Sequence, residues 1–373
     1  MRVLLSGGGT AGHINPALAI AEIIKEREPS AEFLYVGTPD GMEAKLVPKA
    51  GYTFASIKVT GFKRKLTPLN VVKNMRTLSY LASSSRKAKK LLKKFKPDIV
   101  IGTGGYVSAP IALMSAKSGI PTAIHEANAF PGITTKFLSK KVDIVMLSTE
   151  AAAKHLEGAK YTVTGLPVRS GIAKSQLSRA EGKQALGFDD ELCILSFGGS
   201  LGSRCINEVI FEIMKNYGDM TVNHIHGYGS IGKDCFPAAM EAADMPLTTE
   251  RRRVTEYIND MAVCLAAADL VICRAGASVI EELQALGRAS ILIPSPNVTE
   301  NHQFHNAMVL GKAGAAVVIE EKDLTPEVLL KKINEFYIRR EKLDVLAKRA
   351  ASLYVSDTKE RICNAVFQLT VNN

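Results

Sequence analysis

Several clusters carry residue types that handle anions and sugar hydroxyls. The first is Ser6-Gly7-Gly8-Gly9-Thr10-Ala11-Gly12-His13, with Asn15-Pro16 opening a helix. A short apolar run, a glycine turn and a helix start present outward-pointing backbone N–H groups, and glycines let a ligand approach closely. The loop lacks the GKS/T ending of a phosphate-binding Walker loop, and no acid follows where a dinucleotide ribose would need one. His13 is a candidate general base, because an imidazole titrates near neutral pH. A second cluster is Gly102-Thr103-Gly104-Gly105-Tyr106-Val107-Ser108-Ala109-Pro110. A third is His125-Glu126-Ala127-Asn128, directly after the apolar run Thr122–Ile124. Polar side chains at the carboxyl end of a strand lie where open α/β sheets bind ligands. Any one of them could equally be a helix cap.

The second half repeats this logic with Ser196-Phe197-Gly198-Gly199-Ser200-Leu201-Gly202-Ser203-Arg204. Further on, Leu270–Cys273 leads into Arg274-Ala275-Gly276-Ala277-Ser278 and a helix carrying Glu281-Glu282. A diphosphate at that helix start would meet N–H groups, the helix dipole and hydroxyls. A Glu one turn in could take two ribose hydroxyls. Glu300-Asn301-His302-Gln303 offers amides and an imidazole to a sugar. There is no DxD triplet, no set of side chains with metal-ligand spacing and no GxSxG elbow. A sugar nucleotide here would have its diphosphate neutralised by N–H groups and Arg, and no metal or cofactor is expected.

These clusters need a scaffold. Short apolar runs at Val3–Ser6, Phe33–Val36, Ile99–Ile101, Thr122–Ile124, Ile144–Leu147, Cys193–Phe197, Val222–His226, Leu270–Cys273, Ile291–Ile293 and Ala316–Ile319 read as strands. Most are apolar throughout, the mark of a parallel sheet covered on both faces. Helical patterns lie between them, so the fold class is doubly wound α/β. The length, 373 residues, suits two domains. Gly and Pro punctuation at 164–172 suggests a hinge. The expected organisation is an N-terminal acceptor- and membrane-facing domain at 1–165, a nucleotide-binding domain at 166–345, and a helical tail at 346–373 packing back on the first domain.

The formal net charge is +10. It is concentrated, because residues 44–97 contain 15 Lys+Arg and no acid, leaving the remainder of the chain net acidic. Within the basic segment 58–96, residues 85–96 read as a basic helix with a thin apolar stripe. Basic residues interleaved with exposed apolar ones suit an anionic membrane surface. Sparse aromatic residues argue against a nucleic-acid arm. No apolar run reaches the ~18 residues of a membrane span. The six cysteines include no CxxC pair, which fits a reducing, cytoplasmic compartment.

Taken in order, the motifs resemble those of the MurG family, bacterial transferases that move N-acetylglucosamine from UDP-GlcNAc to the lipid-linked muramyl-pentapeptide, lipid I. The resemblance rests on GGGTAGHINPALA (7–19), GTGGYVSAP (102–110), HEANAFPG (125–132), GLPVR (165–169), FGGSLGSR (197–204), VTEYINDMA (254–262), CRAGASVIEEL (273–283) and ENHQFHNA (300–307). It implies a GT-B fold, two Rossmann-like doubly wound domains facing a cleft, and metal-independent inverting transfer to the C4 hydroxyl of the muramyl sugar. It also implies an undecaprenyl-diphosphate-linked acceptor and a peripheral position on the cytoplasmic face of the bacterial membrane. By the same resemblance Ile258 would hold uracil through its backbone and Glu282 the ribose. Ser200, the Ala277-Ser278-Val279 turn and Arg169 would hold the diphosphate, and Asn128 and Gln303 the GlcNAc. Thr10, Ala11 and Gly12 would line the donor side, while His13, Tyr106, His125 and Glu126 would face the acceptor. The base could be His13, or His13 could bind acceptor phosphate while Glu126 or a water takes the proton. This chain departs from the family's commoner pattern at Ala11, at Thr135 and at His302. A UDP-GlcNAc 2-epimerase, another lipid-acceptor GT-B glycosyltransferase, or a scaffold using the basic segment are the alternatives.

Overall fold

The computed structural model describes residues 1–59, 83–173, 177–199 and 201–371. The chain divides into two compact units, Met1–Pro167 with Val355–Asn373, and Val168–Tyr354. Unit 1 runs β1 (Arg2–Ser6), α1 (Ala11–Arg27), β2 (Glu32–Gly37), α2 (Glu43–Lys49), β3 (Thr53–Ser56), α3 (83–95), β4 (Ile99–Gly102), α4 (Ser108–Lys117), β5 (Thr122–Glu126), α5 (Ile133–Leu138), β6 (Ile144–Leu147) and β7 (Tyr161–Val163). Unit 2 runs α6 (Ser170–Ala173), α7 (Arg179–Ala185), β8 (Leu192–Phe197), α8 (Arg204–Lys215), β9 (Val222–Gly227), α9 (Phe236–Ala242), β10 (Arg252–Thr255), α10 (Met261–Ala267), β11 (Leu270–Cys273), α11 (Ala277–Ala285), β12 (Ala289–Leu292), α12 (His302–Lys312), β13 (Val317–Val318), α13 (Pro326–Ile338) and α14 (Glu341–Ser352). The last helix, α15 (Thr358–Val371), belongs to unit 1.

Both sheets are parallel and share one winding. Unit 1 has the order β3-β2-β1-β4-β5-β6-β7 and unit 2 the order β10-β9-β8-β11-β12-β13. In each, the order reverses between two central strands, β1 and β4 or β8 and β11, and a crevice opens at their carboxyl ends. The continuous apolar runs follow from two-sided burial. Val3 and Leu5 pack with Ile14, Ile20 and Ile24 of α1, while Leu4 packs on the opposite face with Val36, Leu92 and Ile111. Each such side chain contributes ~1.5–3 kcal/mol when buried.

Four differences from the sequence reading have physical causes. First, α1 begins at Ala11, with Pro16 inside it. Second, α14 stays in unit 2 because Leu343 and Ala347 fill its core, so the tail that joins unit 1 starts at Val355, where Ile362, Ala365 and Val366 complete the core of β1 and α1. Third, the apolar stripe of α3 faces inward. Ala88 and Leu92 are buried beside Ile57 and Ile111, leaving Arg86, Lys87, Lys89, Lys90, Lys93 and Lys94 exposed. Fourth, β3, β7 and β10 are short strands, TFAS, YTV and RRVT, with too few apolar residues to stand out. Residues 60–82 of the basic segment lie outside the described residues.

The chain leaves unit 1 just after Gly165, at φ +75°. A Cβ there would sit 2.3 Å from Thr358 Oγ1 and 2.9 Å from the Val355 Cβ, so only glycine fits against the returning tail.

Unit 2 buries a polar relay under its central strands. Ser196 Oγ lies 2.8 Å from both His224 Nε2 and His226 Nδ1, and the Tyr217 hydroxyl bonds His224 Nδ1. Burial holds both imidazoles far below their ordinary range, His226 at about 3, and His226 and Arg252 add to the effect at His224. Their folded pKa lies below the unfolded value, so the stability is full above the unfolded pKa and is lost as pH falls toward the folded one. Unit 2 is therefore expected to weaken below about pH 6.5, by about 1.4 kcal/mol per pH unit for each histidine. Urea unfolding of the full chain across this range measures the slope, and His226→Phe should flatten it. A midpoint independent of pH would refute the relay's neutrality.

Candidate active site

The first three clusters assemble at the carboxyl end of the unit 1 sheet. Ser6 and Gly102 are register partners on β1 and β4, and the loops beyond them cross-link. Thr103 donates its N–H to the Ser6 carbonyl at 2.9 Å and its hydroxyl to the His13 carbonyl at 2.7 Å. His13 Nδ1 stands 3.0 Å from the Thr103 carbonyl oxygen. A carbonyl only accepts, so Nδ1 carries the proton and the basic lone pair is on Nε2. Gly104 lies under the imidazole, where a Cβ would come within 2.6 Å of Nδ1.

Thr10 is extended and makes no side-chain cap bond, so the N–H groups of Ala11 and Gly12 open α1 without a cap. Pro16 has no N–H to give the Gly12 carbonyl. Gly9, Thr10 and Gly12 are exposed. Ala11 starts the helix and needs no positive φ there, so the departure from glycine costs little.

A buried carboxylate holds this glycine loop. Glu43, at the start of α2, accepts from the N–H groups of Gly9 (3.1 Å) and Thr38 (2.9 Å) and from the Thr38 hydroxyl (2.6 Å). Burial works against its charge, but these donors outweigh it and hold the carboxyl below the usual range. Nothing in the sequence reading singled Glu43 out. Its one signal is its place as the last acid before the basic window.

Glu126 is arranged in the same way. Oε1 accepts from the backbone N–H and the side-chain amide of Asn128, both at 3.0 Å, and Oε2 from Gly132 N–H (3.0 Å) and the Thr135 hydroxyl (2.6 Å). Four donors tie down a buried carboxylate, which makes it an organiser of the loop 126–135. Thr135, set apart above as a departure, is part of that arrangement. His125 does not face an acceptor. It is 1% exposed, bonded through Nε2 to the Gly165 carbonyl at 3.0 Å, and burial pushes its pKa down. Its strand is central, so both faces of β5 are covered. Tyr106, by contrast, is half exposed beyond Gly105.

Unit 2 carries the second set. A cavity of about 510 Å³ is lined by the loops after β8, β11 and β12, among them Gly198, Ser203, Arg274, Gly276, Val279 and Gln303. Ser200 lies outside the described residues. Helix α11 starts at Ala277 after Gly276 with no side-chain cap bond, which leaves the N–H groups of Ala277, Ser278 and Val279 uncapped, the arrangement that suits an anion. Gln303 Oε1 accepts from Ser295 N–H at 2.9 Å, which turns its amide N–H₂ the other way as a donor. Ile258 packs its side chain over Gly227 in the core and carries its backbone in the loop before α10.

Arg169 and Glu282, expected to serve phosphate and ribose separately, are paired. Arg169 Nε and a terminal nitrogen donate to the two Glu282 oxygens at 2.6 and 2.9 Å, and the pairing raises the Arg169 pKa. A carboxylate accepts about four hydrogen bonds, so this fork leaves lone pairs for two hydroxyls. Arg274 and Glu321 were missed as a pair. The Arg274 guanidinium meets Ser203 Oγ (2.6 Å), the Ile293 carbonyl (3.2 Å) and Glu321, tying three cavity loops together. Glu300 and Asn301 both have φ near +50°, a strained entry to α12 just before Gln303.

Residues 3–147 match the model of the glycosyltransferase family 28 N-terminal domain, and residues 193–362 that of its C-terminal domain. The UDP-N-acetylglucosamine–N-acetylmuramyl-(pentapeptide) pyrophosphoryl-undecaprenol N-acetylglucosamine transferase of Acetivibrio thermocellus is 44% identical over 100% of this chain and 99% of its own. A crystal structure of MurG from Acinetobacter baumannii aligns at 27% identity with a TM-score of 0.78, covering 98% of this chain and 99% of that one. The UDP-GlcNAc 2-epimerase of Neisseria meningitidis, crystallised with UDP-GlcNAc, aligns at 13% identity with a TM-score of 0.66 over 99% and 100% of the two chains, a likeness of fold alone. The chain has the GT-B fold and belongs to the MurG family of N-acetylglucosaminyltransferases, within glycosyltransferase family 28.

Proposed function

We propose that this chain transfers GlcNAc from UDP-GlcNAc to the C4 hydroxyl of the muramyl-pentapeptide of lipid I, giving lipid II, with inversion and without a metal. The observation that carries this reading is the 44% identity along the whole chain to a transferase of that name. The epimerase alternative rests on fold likeness only.

In the proposed step the acceptor C4 oxygen attacks the anomeric carbon, the bond from that carbon to the diphosphate oxygen breaks, and UDP leaves. The proton passes to His13 Nε2, the nitrogen made basic by the Thr103 carbonyl at Nδ1. We assign the base to His13 and the positioning of its surroundings to Glu126 and Glu43. The α11 N-terminus and Arg169 would take up the charge on departing UDP. Glu282 would accept the ribose hydroxyls beside Arg169, Ile258 would hold uracil, and Ser200 would add a phosphate contact. Gln303 would donate to a GlcNAc oxygen. Asn128, Thr10, Ala11 and Gly12 are the donor contacts assigned to unit 1, and Tyr106 faces the acceptor. His125 is withdrawn from that set, being buried.

Radiolabelled UDP-GlcNAc supplied with lipid I or a short-chain analogue in EDTA is expected to give a labelled disaccharide lipid. Label recovered as UDP-ManNAc without lipid would point to an epimerase instead. His13→Ala should lower turnover by ~10²–10⁴ while donor binding persists. Near-normal turnover would leave the base to water.

A peripheral position on the cytoplasmic membrane face belongs to the same proposal. No described helix is long and apolar enough to cross a membrane. The outer face of α3 is basic, so attraction to anionic lipid would be electrostatic, without insertion of the buried stripe. Nucleic acid is not a proposed partner. Reversing Lys87, Lys89, Lys90, Lys93 and Lys94 to Glu is expected to abolish binding to anionic vesicles, and salt should weaken the parent's binding. Unchanged binding would make this an ordinary solvated face.

A further inference from the structure

Unit 2 carries a second charged cluster at the opposite, amino edge of its sheet, where β8, β11 and β12 begin. Asp269, immediately before β11, is buried and bonded to Lys183 Nζ (2.8 Å), to Arg179 (3.2 Å) and to the Cys193 N–H (2.8 Å). Arg179 also lies 3.8 Å from Asp344, which is largely exposed. Lys183 uses its remaining donors on the Asp190 and Glu191 carbonyls at 3.2 and 2.9 Å. Arg288, immediately before β12, lies beside Asp269 because Leu270 and Ala289 are register partners, and it is 8% exposed. Its Nε is buried without a hydrogen-bond partner, and no acceptor is bonded to its guanidinium among the described residues. Arg179 Nε is likewise buried and unpartnered. Burial and then Arg179 push the Arg288 pKa down to about 10, with Asp269 opposing them.

Three cations therefore gather around one buried carboxylate, which bonds two of them, with a second carboxylate at the rim. Lys183 is saturated and Asp269 is already shared by two cations. A guanidinium removed from water without an acceptor is costly, and its planar fork matches an oxyanion. We propose that Arg288 and Arg179 bind a small oxyanion of the phosphate or sulfate class at the amino edge of the unit 2 sheet, apart from the nucleotide cavity at its carboxyl edge. Arg179 is 36% exposed at its side chain and Arg288 8% exposed, so an anion would meet Arg179 first. The proposal is independent of the transferase reading, because none of these residues lines the nucleotide cavity.

The test is thermal unfolding of the full chain with phosphate against chloride at matched ionic strength. Saturating UDP is present throughout, so that the nucleotide cavity is occupied. Phosphate is expected to raise the melting temperature saturably in the parent. Arg288→Leu should abolish that response while leaving UDP binding unchanged. Arg179→Gln, a change nearer the surface, should weaken phosphate binding about tenfold and serves if Arg288→Leu does not fold. An equal phosphate response in the parent and the variants overturns the proposal. So does the absence of any saturable phosphate response in the parent, because the nucleotide cavity is already filled and no second site then remains.

Discussion

Where the strand order of unit 1 reverses, two backbones come into contact, and the candidate chemistry of that unit depends on the contact. A Cβ on Gly105, at φ +76°, would sit 2.3 Å from the Gly8 carbonyl oxygen. With glycine there, the loop after β4 folds down on the loop after β1, and Thr103 reaches Ser6 and His13 with its backbone and its hydroxyl. The proton on His13 Nδ1 is thus set by main-chain geometry. In many sites a carboxylate orients the imidazole, whereas here the Thr103 carbonyl stands at Nδ1. The acids of this region are turned to another task. Glu43 and Glu126 collect N–H and hydroxyl donors from loops that regular structure leaves unpaired.

The two units share a winding but stiffen their loops differently. Unit 1 does it with single buried carboxylates that accept from neutral donors. Unit 2 does it with arginine–carboxylate pairs, a two-bond fork between Arg169 and Glu282 and a single bond between Arg274 and Glu321. The difference follows from what each site is proposed to hold. A diphosphate needs positive charge nearby, and a guanidinium bonded to a carboxylate on one side still presents N–H groups on another. Such a pair keeps an arginine rigid without neutralising the field of the uncapped helix start at Ala277.

Much of this was legible in the sequence. Parallel strands buried on both faces give unbroken apolar runs, so β1, β4, β8 and β11 could be located, and the glycine loops after them marked the crevices. The edge strands β3, β7 and β10 escaped because a short, partly exposed strand has no such run. Roles were harder to read than positions. His125 and Glu126 stand in a motif that invites chemistry, yet β5 is central, so the fold buries one and saturates the other. Glu43, Thr135, Arg274 and Glu321 act through partners from 5 to 71 residues away, and local spacing does not announce such partners. Arg288 reads as an ordinary surface arginine until the fold buries it.

The basic segment shows why pattern and placement must be separated. A helix with lysines set around Ala88, Leu91, Leu92 and Phe95 reads as amphipathic, and an amphipathic basic helix reads as one that enters a lipid interface. The position of α3 beside Ile57, Val100 and Ile111 uses the apolar stripe inside unit 1, so the same residues cannot also enter lipid. What remains outside is charge on long flexible side chains, whose attraction to an anionic surface fades within a Debye length of ~8–10 Å. The association proposed for this face would be weak for each contact and cumulative over six cations. It would also be reversible with ionic strength, which suits an enzyme proposed to collect a lipid-borne acceptor and let the product go.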